Sequence, residues 1–307
     1  MSAPQRKIPR RRVDGVLLLD KPQGMSSNGA LQKARWLFNA AKAGHTGTLD
    51  PMASGLLPLT FGEATKFSQM LLDADKTYVA TVQLGVETDT GDAEGVVLAT
   101  RPIEAGEEAL REVLARFVGD IEQVPPMYSA LKRDGKPLYE YARAGIEVER
   151  AARRVRIHAL RLLRFDGGYF DIEVACSKGT YIRTLAMDIG AALGCGAHLS
   201  ALRRTRIGAF DIADAVALET IEGEEGAARD LLLAPADALV AGFARLDLSA
   251  AETRAMLQGQ ALQHEQGGAG LVRLYGPPGF LGLGEWKADG KLWPKRLVAT
   301  NETQQST

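Results

Sequence analysis

Two stretches keep a strict two-residue hydrophobic rhythm, and that rhythm most limits what the chain can become. In residues 76–84, Tyr78, Ala80, Val82 and Leu84 fall on one side, and Thr77, Val79, Thr81 and Gln83 on the other. Further on, Phe170, Ile172, Val174 and Cys176 alternate with Asp171, Glu173 and Ala175. Both read as strands with one face turned to a core, which makes Cys176 a core residue and not a nucleophile. Val16–Leu19 and 156–165 read as further strands. Leu56–Leu59 is apolar, but Pro58 predicts an edge strand or an irregular segment. Helical spacing appears after Ser26-Ser27-Asn28 (Leu31, Ala34, Phe38), over 107–118 (Leu110, Val113, Leu114, Phe117) and after Thr180 (Ile182, Leu185, Ala186, Ile189).

With 307 residues, 46% of them apolar, the chain can bury a sizeable core and divides naturally into two domains. Its 37 basic and 38 acidic residues leave a net charge of -1, so no global signature of nucleic-acid binding exists and local charge has to carry any such role. Two cysteines, Cys176 and Cys195, argue against a disulfide scaffold and suit a reducing cytoplasm. Four scattered histidines form no compact ligand set, which speaks against a bound zinc. The N-terminus has no apolar signal core, and no stretch has the apolar length to cross a bilayer. Residues 1–12 carry Arg6, Lys7, Arg10, Arg11 and Arg12 without an acid. They read as a disordered, solvated arm with a minor role toward phosphate.

The stretch Gly44-His45-Thr46-Gly47-Thr48-Leu49-Asp50-Pro51 is poor material for a regular element. It is either a loop presenting Asp50 at a fixed place or a turn in which Asp50 caps the next segment. Asp20 is a second candidate carboxylate, and Lys66, Tyr78 and Arg183 can share a cleft with these two if strand ends converge. Arg183 enters at the first turn of its helix and must reach solvent or an anion. An arginine beside Asp50 would lower its pKa and hold it ionised, as a nucleophile or base requires. No phosphate-binding glycine loop or dinucleotide fingerprint is present, so chemistry without a metal or cofactor is the default. The acidic run Gly85–Gly95 reads as a solvated connection or a contact loop. Residues 128–165 hold ten Lys/Arg against four Asp/Glu, with Tyr128, Tyr139 and Tyr141 among them. That mixture can grip looped nucleic acid, and it equally suits a charged surface hairpin. Residues 219–230 are acidic and read as a solvated turn and helix start. Beyond about residue 246, short strands between Gly and Pro turns suggest a small β-barrel-like module packed on the larger domain.

Several of these stretches together resemble the bacterial tRNA pseudouridine-55 synthase family. The resemblance is carried by Gly44–Pro51, by Ala53-x-Gly55-x-Leu57 and by Gly62-x-Ala64-Thr65-Lys66. It extends to Asp20-Lys21-Pro22-x-Gly24-x-Ser26-Ser27, Lys76-x-Tyr78 and Ser177-Lys178-Gly179-Thr180-Tyr181-Ile182-Arg183, and so covers nearly the whole chain. It implies an α+β pseudouridine synthase fold with a mixed, mostly antiparallel central sheet and a C-terminal PUA-like RNA-binding domain. Domains would be a basic arm over 1–12, a catalytic domain over 13–245, the PUA-like domain over 246–300 and a flexible tail over 301–307. An RNA-clamping insertion would span about 125–152.

By the same resemblance, Asp50 would be the catalytic carboxylate, Tyr78 would lie against the target base and Arg183 would orient Asp50. Leu202 would sit under the base, Lys21 and Lys66 would support the site, and His45 would enter the RNA loop. Tyr128, Lys132, Arg133, Arg143 and Arg154 are the remaining candidate RNA contacts. The implied protein is a cytoplasmic isomerase, a monomer without an obligate protein partner, cofactor or metal. It would act on a uridine flipped out of the tRNA T loop. A noncatalytic tRNA-binding or tRNA-folding protein on the same scaffold is the alternative. A metal-dependent hydrolase using Asp20 and Asp50, or a synthase aimed at another RNA, stands further off.

Overall fold

The computed structural model describes residues 9–129, 131–264 and 266–299. Regular structure begins with β1 (Gly15–Lys21), α1 (Ser27–Leu37), β2 (Ala43–His45) and β3 (Ser54–Phe61). A 3-10 turn (Gly62–Phe67) and α2 (Ser68–Leu72) lead to β4 (Lys76–Leu84) and the hairpin β5 (Val86–Thr88) and β6 (Val97–Thr100). Next come α3 (Glu107–Arg116), β7 (Gly119–Gln123), a small hairpin of β8 (Lys132–Arg133) and β9 (Lys136–Pro137), and α4 (Leu138–Arg143). They are followed by β10 (Arg153–Phe165), β11 (Tyr169–Cys176), α5 (Ile182–Ala192) and β12 (Ala197–Ile207). Short β13 (Phe210–Asp211), β14 (Val216–Ala217), α6 (Leu218–Gly223) and α7 (Gly226–Asp230) complete this part. The C-terminal part holds β15 (Ala244–Asp247), α8 (Ala250–Leu257), β16 (Gly270–Gly276), β17 (Gly279–Trp286) and β18 (Leu292–Leu297).

The large sheet runs β14-β1-β3-β12-β4-β11-β10-β7, with β2 added to β3 and β13 to β12. Only the β1–β14 and β12–β3 pairings are parallel, so the sheet is mixed and mostly antiparallel. The rhythmic strand β4 lies between β12 and β11, and its even-numbered residues are the buried ones. They join Ile172, Val174, Leu185 and Ile189 in the main core. The helix over 107–116 buries Leu110, Val113 and Leu114, as its spacing predicted.

Pro58 is not on an edge. β3 pairs with β1 along its whole length, Leu18 opposite Pro58. On its other side β2 pairs with residues 59–61 and β12 with residues 54–55. The missing N–H of Pro58 falls in the gap between those two partners, where its carbonyl still accepts from Thr46. An interior proline is thus tolerated because two short strands, and not one long strand, flank it.

The C-terminal strands form an open four-stranded sheet, β15-β16-β17-β18. Among the described residues no strand closes it into a barrel, which corrects the barrel-like expectation. Four strands with one helix suffice because Met256 from α8 covers Leu246, Leu274, Leu281 and Leu292 in a small core. Leu283, with Leu271 and Phe280 beside it, instead packs with Val16, Leu56 and Phe67 of the larger part. Within the basic arm, Arg11 is docked: it donates to Phe38 O at 2.9 Å and pairs with Asp230. Residues 1–8 and 301–307, expected to be a flexible arm end and tail, lie outside the described residues. The acidic segment near 219–230 is two short helices, with Ile221 fully buried. No helix among the described residues is long and apolar enough to cross a membrane.

Candidate active site

Asp50 stands at the end of the Gly44–Pro51 bend, just before β3, and the bend is tied down from several directions. Thr46 is fully buried and donates both its N–H and its hydroxyl to Pro58 O, each at 3.2 Å. The buried hydroxyl of Ser27, first residue of α1, accepts from Leu49 N at 2.7 Å and donates to Leu49 O at 2.9 Å. Gly24 N donates to Pro51 O at 2.7 Å. Gly47 takes φ +109°, a conformation other residues rarely adopt, with the Arg204 guanidinium close by. A chain held this way presents Asp50 as a fixed group, which decides against the capping turn.

The side chain that meets it comes from the second residue of α5. A cation in the first turn of a helix faces the positive end of the helix dipole, so it needs strong acceptors. Arg183, only 6% exposed, has four: Asp50 Oδ2 at 3.0 Å, Asp92 Oδ2 at 3.5 Å, Thr90 O at 3.1 Å and Tyr128 O at 2.6 Å. Two anions and two carbonyls therefore converge on one guanidinium. Asp92, equally buried, is braced by Glu94 N at 3.1 Å and the Thr90 hydroxyl at 2.6 Å. The acidic run over 85–95 is thus not a solvated connection. Its Asp92 carboxylate is part of the site, because the turn after β5 brings it to Arg183 of α5.

Two cavities open from this pair. One, of about 270 Å³, is lined by Asp50, Tyr78, Arg183, Leu202 and Arg204, with Lys76 and Tyr181 at its walls. The other, of about 520 Å³, runs between Asp50, Thr90, Asp92 and Val96 on one side and Tyr128, Tyr139 and Arg143 on the other. Although 41% of the Asp50 side chain is open to this space, burial pushes its carboxyl above the usual carboxylate value. Arg183 pulls it down, Asp92 pushes it up and Lys21 opposes, and the net direction is upward. The argument from Arg183 alone predicted the reverse; desolvation outweighs it. Burial also raises the Tyr78 phenol, with the nearby Arg204 guanidinium working against that rise.

Comparison with known proteins gives the family. The family model described as "TruB family pseudouridylate synthase (N terminal domain)" matches residues 35–182. Two further models match the rest: "tRNA pseudouridylate synthase B C-terminal domain" over 183–241 and "Pseudouridine synthase II TruB, C-terminal" over 244–298. The tRNA pseudouridine synthase B of Azoarcus sp. (strain BH72) is 69% identical over 300 residues, covering 98% of this chain and 100% of that one. The chain belongs to the TruB family of pseudouridylate synthases. Another family member, tRNA pseudouridine synthase B of Aromatoleum aromaticum, is 64% identical over 97% of each chain. Among solved structures, a chain of a Cbf5-Nop10-Gar1 complex superposes with a TM-score of 0.67 at 27% identity, covering 100% of this chain and 88% of that one. A chain of an H/ACA RNP bound to a substrate RNA, at 24% identity and TM-score 0.69 over 99% of this chain and 93% of that one, shares the fold.

In this TruB-family chain, then, Asp50, Tyr78, Arg183 and Leu202 are brought to one cavity. Lys21 lies fully buried behind it and donates to Met25 O at 2.6 Å and Pro22 O at 2.8 Å. Burial brings its pKa down to about 8, with Asp50 opposing and Arg204 adding to the fall. Tyr128 and Arg143 reach the larger cavity, and Arg143 lies over the Tyr139 ring. Lys66 is not brought to the site. It pairs with Glu63 at 2.7 Å and donates to Leu297 O at 2.8 Å, at the junction with the C-terminal sheet. The eight residues of β3 separate it from Asp50, roughly 26 Å of extended chain. Asp20 is likewise occupied elsewhere, by Arg203 at 2.7 Å.

His45 is half-buried on β2 and lines neither cavity; its Nδ1 is buried without a hydrogen-bond partner among the described residues. Burial, then Arg204, lowers its pKa. Lys132, Arg133 and Arg154 are exposed; Arg133 donates to Glu149 O and Arg154 pairs with Asp120 at 3.5 Å. Reading the sequence missed Asp92, Ser27, Tyr181 and Arg204 as parts of the site. The quoted motifs contained Ser27 and Tyr181 without assigning them work. Nothing local to Asp92 distinguished it from the acids around it.

Proposed function

We propose that this chain converts a uridine in the T loop of tRNA to pseudouridine, with Asp50 as the reacting carboxylate. The observation that carries the reading is the Asp50–Arg183 pair, fixed at the mouth of a small cavity that also holds Tyr78 and Leu202. A pyrimidine ring fits between an aromatic and an aliphatic side chain, and a loop nucleotide reaches such a cavity by leaving its stack. The reaction breaks the bond between ribose C1′ and ring N1, turns the base, and joins C5 to C1′ while the C5 proton departs. It consumes no oxidant and transfers no phosphate, so it asks of the protein a placed carboxylate and an enclosed ring.

Two routes use Asp50. Its carboxylate acts at the ribose, attacking C1′ or promoting elimination to a glycal, or it adds to C6 of the ring. Arg183 serves either by holding Oδ2, which leaves Oδ1 for the reaction. Tyr78 and Leu202 hold the ring while it turns. His45, with an unpartnered ring nitrogen, supports the space the flipped nucleotide leaves. Residues about 125–152 act as a clamp over the RNA, rooted at the site through the Tyr128 carbonyl on Arg183. The C-terminal sheet, taken as a domain over 246–300, adds affinity and positioning. The protein works as a monomer in the cytoplasm.

The decisive experiment uses an unmodified T stem-loop labelled with tritium at C5 of its uridines. Wild type releases one tritium per target and Asp50→Asn releases none while binding the RNA with unchanged affinity. Release by cleanly purified Asp50→Asn at a near-normal rate would remove Asp50 from the chemistry.

A further inference from the structure

Arg204 is the bulkiest fully buried side chain in the described structure, at 1% exposure. Its neighbours on β12 have carboxylate partners: Arg203 pairs with Asp20 at 2.7 Å and Arg206 with Asp211 at 2.6 Å. Arg204 pairs with no carboxylate among the described residues. Its guanidinium donates from Nε to Leu56 O at 2.7 Å and from Nη2 to Gly47 O at 3.5 Å. Two carbonyls use a minority of its five donors and neutralise none of its charge. A neutral side chain would hold those carbonyls more cheaply, so the clamp alone does not explain a cation here.

Its position explains more. Arg204 stands directly opposite Tyr78 in the β12–β4 register, so the two side chains share a sheet face. Both line the small cavity with Asp50 and Leu202. The other cations of that cavity are engaged. Arg183 serves Asp50 and Asp92, and the Lys76 ammonium donates to the carbonyls of Leu71, Leu72 and Ala74. Lys76, like Arg204, has no carboxylate partner among the described residues, but its three donors are spent on those carbonyls; Arg204 is the cation of the two with donors to spare.

The reaction needs one. When the N1–C1′ bond breaks, its electron pair stays on the ring and spreads from N1 onto O2 and O4. When a carboxylate oxygen instead adds its pair to C6, the C5–C6 pair moves toward O4. Either route moves the charge of Asp50 onto uracil, the carboxylate becoming an ester or an acid, and the ring carries it until C5 bonds to C1′; the C5 proton then leaves and N1 takes one up. A fixed cation in a dry cavity stabilises such a charge without having to reorganise.

We infer that Arg204, across the small cavity it shares with Tyr78, is the residue that offsets the negative charge developing on uracil. This rests on the Asp50 cleft being the uridine site, and it makes Arg204 a positioning and electrostatic residue without direct attack on substrate.

The test compares Arg204→Gln, which keeps a donor for Leu56 O, with Arg204→Lys, which keeps the charge. Each is run in single turnovers on T stem-loops carrying uridine or 5-fluorouridine at the target, following loss of the target nucleoside after digestion. Fluorine stabilises a ring anion without help from the protein. Arg204→Gln should slow the uridine substrate about 100-fold with RNA affinity retained, and the 5-fluorouridine substrate roughly tenfold less severely. Arg204→Lys should recover part of the loss. Equal losses on both substrates, or a loss confined to affinity, would reduce Arg204 to a backbone clamp.

A measurement on wild type needs no variant to fold. With an abasic T stem-loop bound, free 5-nitrouracil in the cavity should ionise about one pH unit lower than in solution, read from its absorbance. An unmoved or raised ionisation overturns the proposal. Wild-type tritium release shows independently whether the cleft is the uridine site at all.

Discussion

Replacing Arg183 with methionine removes the one group on which two carboxylates and two carbonyls converge. Asp92 decides the cost. Its Oδ1 keeps the Thr90 hydroxyl and Glu94 N–H, but Oδ2 faces Arg183 alone, at 6% exposure. Leaving such a carboxylate without its cation costs about 3–5 kcal/mol at neutral pH. Asp50, with 41% of its side chain exposed, keeps part of its hydration, so its share is the smaller one. Urea unfolding of Arg183→Met and wild type at neutral pH measures it, and tritium release reports the lost aim of Asp50. A gap below about 1 kcal/mol would refute the claim that Asp92 and Arg183 form a buried charge pair.

Turnover should fail on the acid side at a higher pH than an unperturbed aspartate would impose, since burial raises Asp50 and the protonated form cannot react; a pH profile of single-turnover rates checks this. Lys21, with its pKa near 8 against an unfolded 10.5, imposes a cost that is full below pH 8 and relieved as pH rises to 10.5. Relative to Lys21→Met, wild type should gain up to about 3 kcal/mol across that window in urea titrations. Replacing residues 126–151 by a short glycine linker should weaken T stem-loop binding in a direct titration while leaving the fold, by circular dichroism, intact; unchanged affinity would remove the clamp. Arg143→Ala should lose part of that affinity, with a shallower salt dependence.

The strands were legible wherever one face is buried, because a two-residue period survives any choice of neighbours: β4 and β11 are where their side chains put them. The amphipathic helix over 107–116 was legible for the same reason at a different period. Asp50, Tyr78, Arg183 and Leu202 were legible only through long motifs and resemblance. Their meeting in one cavity depends on β4 and β12 pairing and on α5 packing beside the bend. Pro58 misled because its local rule concerns a missing donor, and whether a donor is missed depends on which strand lies opposite.

What the sequence determined by itself was the set of elements, since a strand or helix period follows from side chains a few residues apart. What only the tertiary structure decided was charge. Asp92 looked like one acid in a solvated run, Lys66 like a neighbour of Asp50, and Asp50 like a carboxyl with a lowered pKa. Each of those readings turned on burial and on partners 90 or more residues away, as in Arg183 with Thr90. Desolvation and long-range pairing have no local signature, so no window of sequence contains them.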